Sequence, residues 1–413
     1  MIARHRLVAL GLLWAFAVTL GRGLRQPNDW AEAHWLISYA FGPIKRGLPA
    51  TLLRPFIAAR PERAEGAITI VATALTLSLC VVLVLLCWNL LRRTNFSGNT
   101  VTTVAAFVTS PFVVMSGHLN GYFDAPIILL SILAMVLALR GRMWLAALAL
   151  TIGLLIHETI VIIGFPVVVW AALLPPNRGK GDTTLRRLAP LALPAVAFAV
   201  LFLYQSYAVD APTLESQLTD YLRTFPFIQY DQEVIVPRSF AKSFVAHFRS
   251  QSPRVWGRLF DPGLAAAILP TVLVLLLYAR SALRTGRARR GLTVAGLLLA
   301  FLPLSLHLIA WDTARIWTYP IVVALLAAWA AVAVADPTRL AVTGSRLLTG
   351  LGLLVLPFNV FGRIPLMDWR VERFSTEWRV VAYLPLVAAL FLALARRRST
   401  DYTQRDQFIV DRQ

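Results

Sequence analysis

A chain of 413 residues that is 58% hydrophobic and only 15% charged, with a mean hydropathy of +0.66, lies outside the range of soluble domains and reads as a polytopic helical membrane protein. Its formal charge of +19 would suit nucleic acid if Lys and Arg shared one soluble face, but they fall in short groups between apolar runs, the pattern of membrane topology. Nucleic acid is therefore excluded as a partner, and two cysteines inside one apolar run, Cys80 and Cys87, exclude a cysteine metal centre.

Met1 to Leu24 combines a basic start with an apolar stretch, and because no small-x-small cleavage site follows, it reads as a retained first helix. Further apolar runs at 67–91, 101–117, 125–139, 143–156, 159–174, 188–207, 263–279, 291–310, 317–335, 347–361 and 380–395 predict an all-α transmembrane bundle. With the first run, at 7–21, that makes about 12 helices, range 10–13, in a single domain over 1–413. The runs 143–156 and 159–174 are short and read as a pair meeting at an outer corner, His157-Glu158. With both termini cytoplasmic, Arg92-Arg93, Arg140 with Arg142, and the Arg-rich connections around 178–187, 280–290 and 339–346 all face inward, as the positive-inside rule requires.

Two outer connections are long. The first, 22–66, carries Trp30, Trp35, Tyr39 and Phe41 ahead of Gly42-Pro43 and predicts an interfacial helix. The second, 208–262, predicts amphipathic helices in the headgroup plane, one with Leu214, Leu218 and Leu222, another with Phe240, Phe244 and Phe248.

Sorting the polar residues by predicted side puts them at outer helix ends, so the active face is outside. Asp29 and Glu32 share a helix face, and Asp29 suits a general base on a sugar or lipid hydroxyl. His34 follows on the same segment. Lys45 and Arg46, set in a turn between glycines, suit a phosphate. Asp124 heads a helix as cap or substrate contact. His157-Glu158, between apolar runs, reads as base, orienter or metal ligand. His307, Asp312 and Arg315 form a third patch, in which Asp312 and Arg315 are spaced to pair or to hold an anionic leaving group; Asp368 and Arg370 are rim. No cofactor is required by this pattern. A divalent metal is the one candidate, and no metal site is assigned, since position 161, where a second helical ligand belongs, is Val.

In these residues the chain resembles the bacterial integral-membrane glycosyltransferases of the GT-C class: many helices, Asp29 just behind the first, outer acids and bases at Asp124, His157, Glu158, Asp312 and Arg315, and a second long outer loop. The resemblance implies a multi-pass protein of the bacterial inner membrane. It implies a polyprenyl-phosphate-linked sugar as donor, a lipid or glycan acceptor and surrounding membrane lipids as partners. Asp29 would be the base, tuned by Glu158 or His157, with Arg46 and Arg315 stabilising the leaving phosphate. Asp29 and Glu32 stand where that class usually has adjacent acids. Two other readings are a polysaccharide polymerase or O-antigen ligase using Arg223, Arg238, Arg249, Arg254 and Arg258 of the second loop, and a lipid or glycan transporter, which would want midplane charges and paired repeats.

Overall fold

The computed structural model describes residues 2–58, 61–174, 184–284, 290–335, 346–363 and 372–395. All regular structure among them is helical, and every apolar run predicted from sequence has become helix. Spanning length is another matter. Six helical stretches are long and apolar enough to cross a membrane, or seven if the bent pair Thr376–Ala382 and Leu384–Ala395 counts as one span. The remaining five apolar helices have 10–17 residues, at most about 25 Å against a hydrocarbon core of ~30 Å. Length and composition thus support a helical bundle with six or seven spanning candidates among the described residues, fewer than the apolar runs of the sequence, because turns and polar residues cut those runs short.

The first helix, α1 (Ile2–Gly23), precedes a short α2 (Asp29–Leu36), α3 (Gly47–Ala58) and the longest helix, α4 (Ala64–Arg93). The next pair, α5 (Gly98–Val108) and α6 (Pro111–His118), is broken only at Thr109-Ser110, where proline opens the second helix; the two form one span that is 94% buried. Next come α7 (Asp124–Leu139), α8 (Met143–Ile156) and α9 (Ile160–Leu173), the last two both packing along α7. Their shared corner, 157–159, therefore lies beside the start of α7, with the Phe123 and His157 rings 6.4 Å apart. After α10 (Thr184–Leu188) and α11 (Ala192–Tyr207), the second long connection folds as α12 (Ala211–Leu222), α13 (Tyr230–Ala241), α14 (Phe244–Gln251) and α15 (Val255–Leu259). The bundle closes with α16 (Pro262–Arg284), α17 (Arg290–Phe301), a 3-10 segment Leu302–Leu308, α18 (Thr313–Val334), α19 (Arg346–Phe361), α20 (Thr376–Ala382) and α21 (Leu384–Ala395). Asp368 and Arg370 lie outside the described residues.

Two of the three apolar clusters among the described residues organise the fold. The large one runs through the bundle around α5, α16 and α18; another joins Trp35, Ile44, Phe123, Leu218 and Phe240, from the first and second long connections and the start of α7, into a cap with its own core. At the carboxy-terminal end of α1 the helices touch backbone to backbone: a Cβ at Gly23 would sit 1.9 Å from the Val114 carbonyl, and one at Gly117 would sit 2.5 Å from that of Leu20. Glycine is what permits that crossing.

Beside it, Arg22 is wholly enclosed. It donates to Glu372 at 2.8 Å and to the carbonyls of Asn359 (2.8 Å) and Gly362 (3.2 Å), while Arg379 reaches the same Glu372 oxygen at 2.6 Å. One carboxylate thus bridges two buried guanidiniums, which leaves the cluster a formal charge of +1, and ties the segment before α20 to the first helix. Removing one partner of such a cluster leaves charge uncompensated. Glu372→Gln is expected to lower stability by about 3–5 kcal/mol, read as a large fall in apparent melting temperature of the purified protein, whereas a neutral result would show the cluster to be solvated.

Candidate functional site

The corner that carries Lys45 and Arg46 follows a 3-10 turn, Tyr39–Phe41, and Arg46 takes a left-handed backbone, φ 63°, that non-glycine residues rarely adopt. The result is that neighbouring side chains diverge. Arg46 reaches across to the corner between α8 and α9, where its Nε lies 3.0 Å from Glu158 Oε2 and its Nη2 bonds Oε1, a two-pronged ion pair. Lys45, 1% exposed, turns instead towards the covering helices and donates to the Lys242 carbonyl at 2.9 Å, with His247 Nε2 at 3.1 Å. Burial, reinforced by the charge of Arg46, pushes the Lys45 ammonium down to about 7.

Two histidines complete this side. His34 Nδ1 lies 2.6 Å from the Trp30 carbonyl and must donate to it, so Nε2, 3.3 Å from Arg46 Nη1, accepts. The ring is neutral, and burial with the adjacent Arg46 pushes its pKa down to about 3. His157 has the opposite tautomer. Its Nδ1 accepts from the Thr159 backbone N–H at 3.2 Å, leaving the proton on Nε2, and burial and Arg46 keep it far below the usual histidine range. The Glu158 carboxyl would be raised by burial, but Arg46 holds it well below the ordinary glutamate value.

On the far wall, Arg315 in the first turn of α18 is held by three groups. Its Nε donates to Asp124 Oδ1 at 2.9 Å and to Tyr319 Oη at 2.8 Å, Nη2 lies 2.7 Å from Asp124 Oδ2, and Nη1 reaches Asp312 Oδ2 at 3.2 Å. Asp124 stands behind Arg315 and positions it. Asp312 differs: its second oxygen, Oδ1, is enclosed without a hydrogen-bond partner, and burial pushes its pKa up although Arg315 pulls it back.

These groups surround one cavity of about 100 Å³, lined among others by His34, Lys45, Arg46, His157, Glu158, Asp312 and Arg315 and roofed by Ser239, Phe244 and His247 of α13 and α14. Segments from both ends of the chain therefore deliver seven of the sequence-predicted residues to one place. Counted formally, Lys45, Arg46 and Arg315 balance Glu158, Asp124 and Asp312.

The other predicted residues lie elsewhere. Asp29 and Glu32 are on the opposite face of α2 from Trp30 and His34, so they turn away from the cavity. Asp29 lines a separate open groove of about 910 Å³ with Arg25, Asn28, Thr69, Thr73, His118, Asn120 and Arg373. Glu32 is buried beside Glu65 and Asp29, which add to burial in raising its pKa to about 7. The groove and the cavity adjoin at one contact, Asn28 Nδ2 donating to Tyr122 Oη at 3.3 Å. His307 is fully enclosed with neither ring nitrogen hydrogen-bonded, and it lines neither space. Among the described residues no group of three or more His, Cys, Asp or Glu is placed to hold a metal. Arg223 and Arg238 of the second loop pair with Glu233 and Glu215 within the cap.

Four groups that sequence reasoning passed over matter here. Tyr319 stands one turn after Arg315, a spacing visible in the sequence, but Tyr122, Thr159 and His247 are identified only by tertiary packing. No protein-family model, curated protein or solved structure matches the chain.

Glu32 yields a test of this electrostatic description. A carboxyl raised from 4.5 to about 7 on folding makes the folded state bind more protons, so stability is lost as pH rises through that window. Glu32→Gln is expected to flatten the fall in melting temperature between pH 5 and 8 and to leave the variant about 1–3 °C more stable at pH 8. An unchanged pH profile would show that Glu32 is solvated in the folded protein.

Proposed function

We propose that the chain is a membrane glycosyltransferase, similar in plan to the GT-C class, moving a sugar from a polyprenyl-phosphate-linked donor to a lipid or glycan acceptor at the outer face of a bacterial inner membrane. The observation that carries this reading is the one cavity lined by Arg46, Arg315 and Asp312, whose enclosed Oδ1 has no hydrogen-bond partner among the described residues. Two guanidinium forks suit the charge that develops on a leaving phosphate. At about 100 Å³ the cavity suits a group the size of a few waters, hence a phosphate rather than a whole glycan.

The chemistry follows from those positions. The acceptor hydroxyl oxygen bonds to the anomeric carbon of the donor sugar, the bond from that carbon to the phosphate oxygen breaks, and the lipid phosphate leaves with the electron pair. The acceptor proton passes to Asp312. The role of base thus moves from Asp29 to Asp312, since Asp29 lines the neighbouring groove, whose volume and mixed polar lining suit the acceptor. Neutral His157, with Nδ1 occupied and a proton on Nε2, orients substrate as a donor. Glu158 and Asp124 keep the arginines in place. The finer topology that accompanies this reading has both termini cytoplasmic and the five short apolar helices completing 12 crossings alongside the longer ones. A polymerase or ligase has less support, because Arg223 and Arg238 lie exposed on the cap and do not line the cavity.

Asp312→Asn is expected to lower kcat/KM on an undecaprenyl-phosphate-linked sugar by about 10²–10⁴-fold, while Asp29→Asn shifts chiefly the KM for acceptor. Because Asp312 is raised and a base works only when ionised, the acid limb of the wild-type profile should fall above the ~3.9 of an ordinary aspartate. Full activity in Asp312→Asn would remove the assigned base.

A further inference from the structure

The mouth of the cavity is framed by two indoles from separate segments, Trp30 in the first turn of α2 and Trp311 immediately before Asp312. Their rings stand 6.4 Å apart at 87°, edge to face. In that arrangement the edge of one ring meets one face of the other, so each indole keeps at least one face uncovered by its partner. Trp311 is 55% exposed, although its backbone is firmly held: its carbonyl accepts from Thr313 N at 2.7 Å, and the preceding Ala310 carbonyl accepts from Arg258 Nη1 at 2.9 Å. Trp30 is fixed in turn by the His34 bond to its carbonyl and by packing of the two rings, 5.4 Å apart. An exposed indole on a fixed backbone is a surface prepared for a ligand rather than a mobile loop tip.

The other exposed tryptophans among the described residues, Trp14, Trp88, Trp144, Trp256 and Trp378, do not line this cavity and fit lipid contact or an interfacial belt. Trp311 lines the cavity beside Asp312, and no described group accepts a hydrogen bond from its indole N–H. A pyranose offers what such a place accepts. Its axial C–H face carries slight positive charge and stacks on the electron-rich ring face, and its equatorial hydroxyls radiate sideways, within the compass of an indole N–H and a carboxylate.

We propose that Trp311, braced by Trp30, is the platform that receives the sugar ring of the donor and holds it against Asp312. This deepens the proposed function and rests on it for the identity of the lipid. The phosphate lies inside with Arg46 and Arg315; the sugar lies at the mouth, where a cavity of about 100 Å³ has no room for it. Stacking is tolerant of hydroxyl configuration, so the platform fixes ring orientation and leaves the choice of sugar to hydrogen bonds around it.

The test uses the full chain in phosphatidylcholine nanodiscs and three probes: undecaprenol, undecaprenyl phosphate and undecaprenyl phosphoryl glucose. The gain from undecaprenol to the phosphate reads the arginine cavity. The gain from the phosphate to the sugar phosphate reads the platform, and the expectation is a further ~3–10-fold in affinity. Trp311→Ala should erase that second gain and keep the first, and Trp311→Phe should restore most of it. The platform is overturned if wild type shows no gain from the sugar, if Trp311→Ala retains it, or if the variant weakens all three probes alike as a lost membrane anchor would. Absence of the first gain overturns the phosphate reading alone.

Discussion

The ion pair between Arg46 and Glu158 joins two parts of the molecule that the chain makes separately. Arg46 belongs to the cap, which has its own apolar core; Glu158 belongs to the corner where α8 turns into α9. Neither residue has another partner of comparable strength, and both are largely removed from water. A lone charge there would cost several kcal/mol, so the cap has one docking position in which both are satisfied. Lys45 secures the next layer from the same corner by bonding the Lys242 carbonyl at the turn between α13 and α14.

Electroneutrality follows from the same constraint. By formal charge three basic and three acidic side chains belong to the site, and the histidines stay neutral chiefly because burial penalises a charged ring, with Arg46 adding to the effect. Net attraction for an anion therefore does not come from surplus charge. It comes from guanidinium protons already held in place, whose positioning has been achieved during folding instead of during binding. Asp312 is the exception that gives the cavity chemical character, since one of its oxygens remains without a donor.

Much of this was legible in the sequence, and the limits are informative. Alternation of basic and non-basic loops put Arg46, Asp124, His157, Glu158, Asp312 and Arg315 on one side, and sidedness alone makes distant residues neighbours. The Asp312–Arg315 pairing followed from a spacing of three. What could not be read was rotation and depth. Spacing says that Asp29 and Glu32 share a face of α2, but which face looks into the cavity depends on how the helix docks, and Trp30 and His34 took that position. Adjacent residues 45 and 46 looked like one clamp; a positive φ at Arg46 separates them. Helix lengths were also hard to read, because hydropathy measures apolar length and is blind to where a turn ends it.

The central claim is that one cavity, between Arg46 and Arg315, receives the phosphate of a lipid-linked substrate. An experimental structure of the full chain with bound undecaprenyl phosphate tests it most directly. The account predicts phosphate oxygens within about 3 Å of nitrogens of both arginines, with the Arg46–Glu158 pair intact. Phosphate density in the groove lined by Asp29, or on the membrane-facing surface away from both arginines, would contradict it.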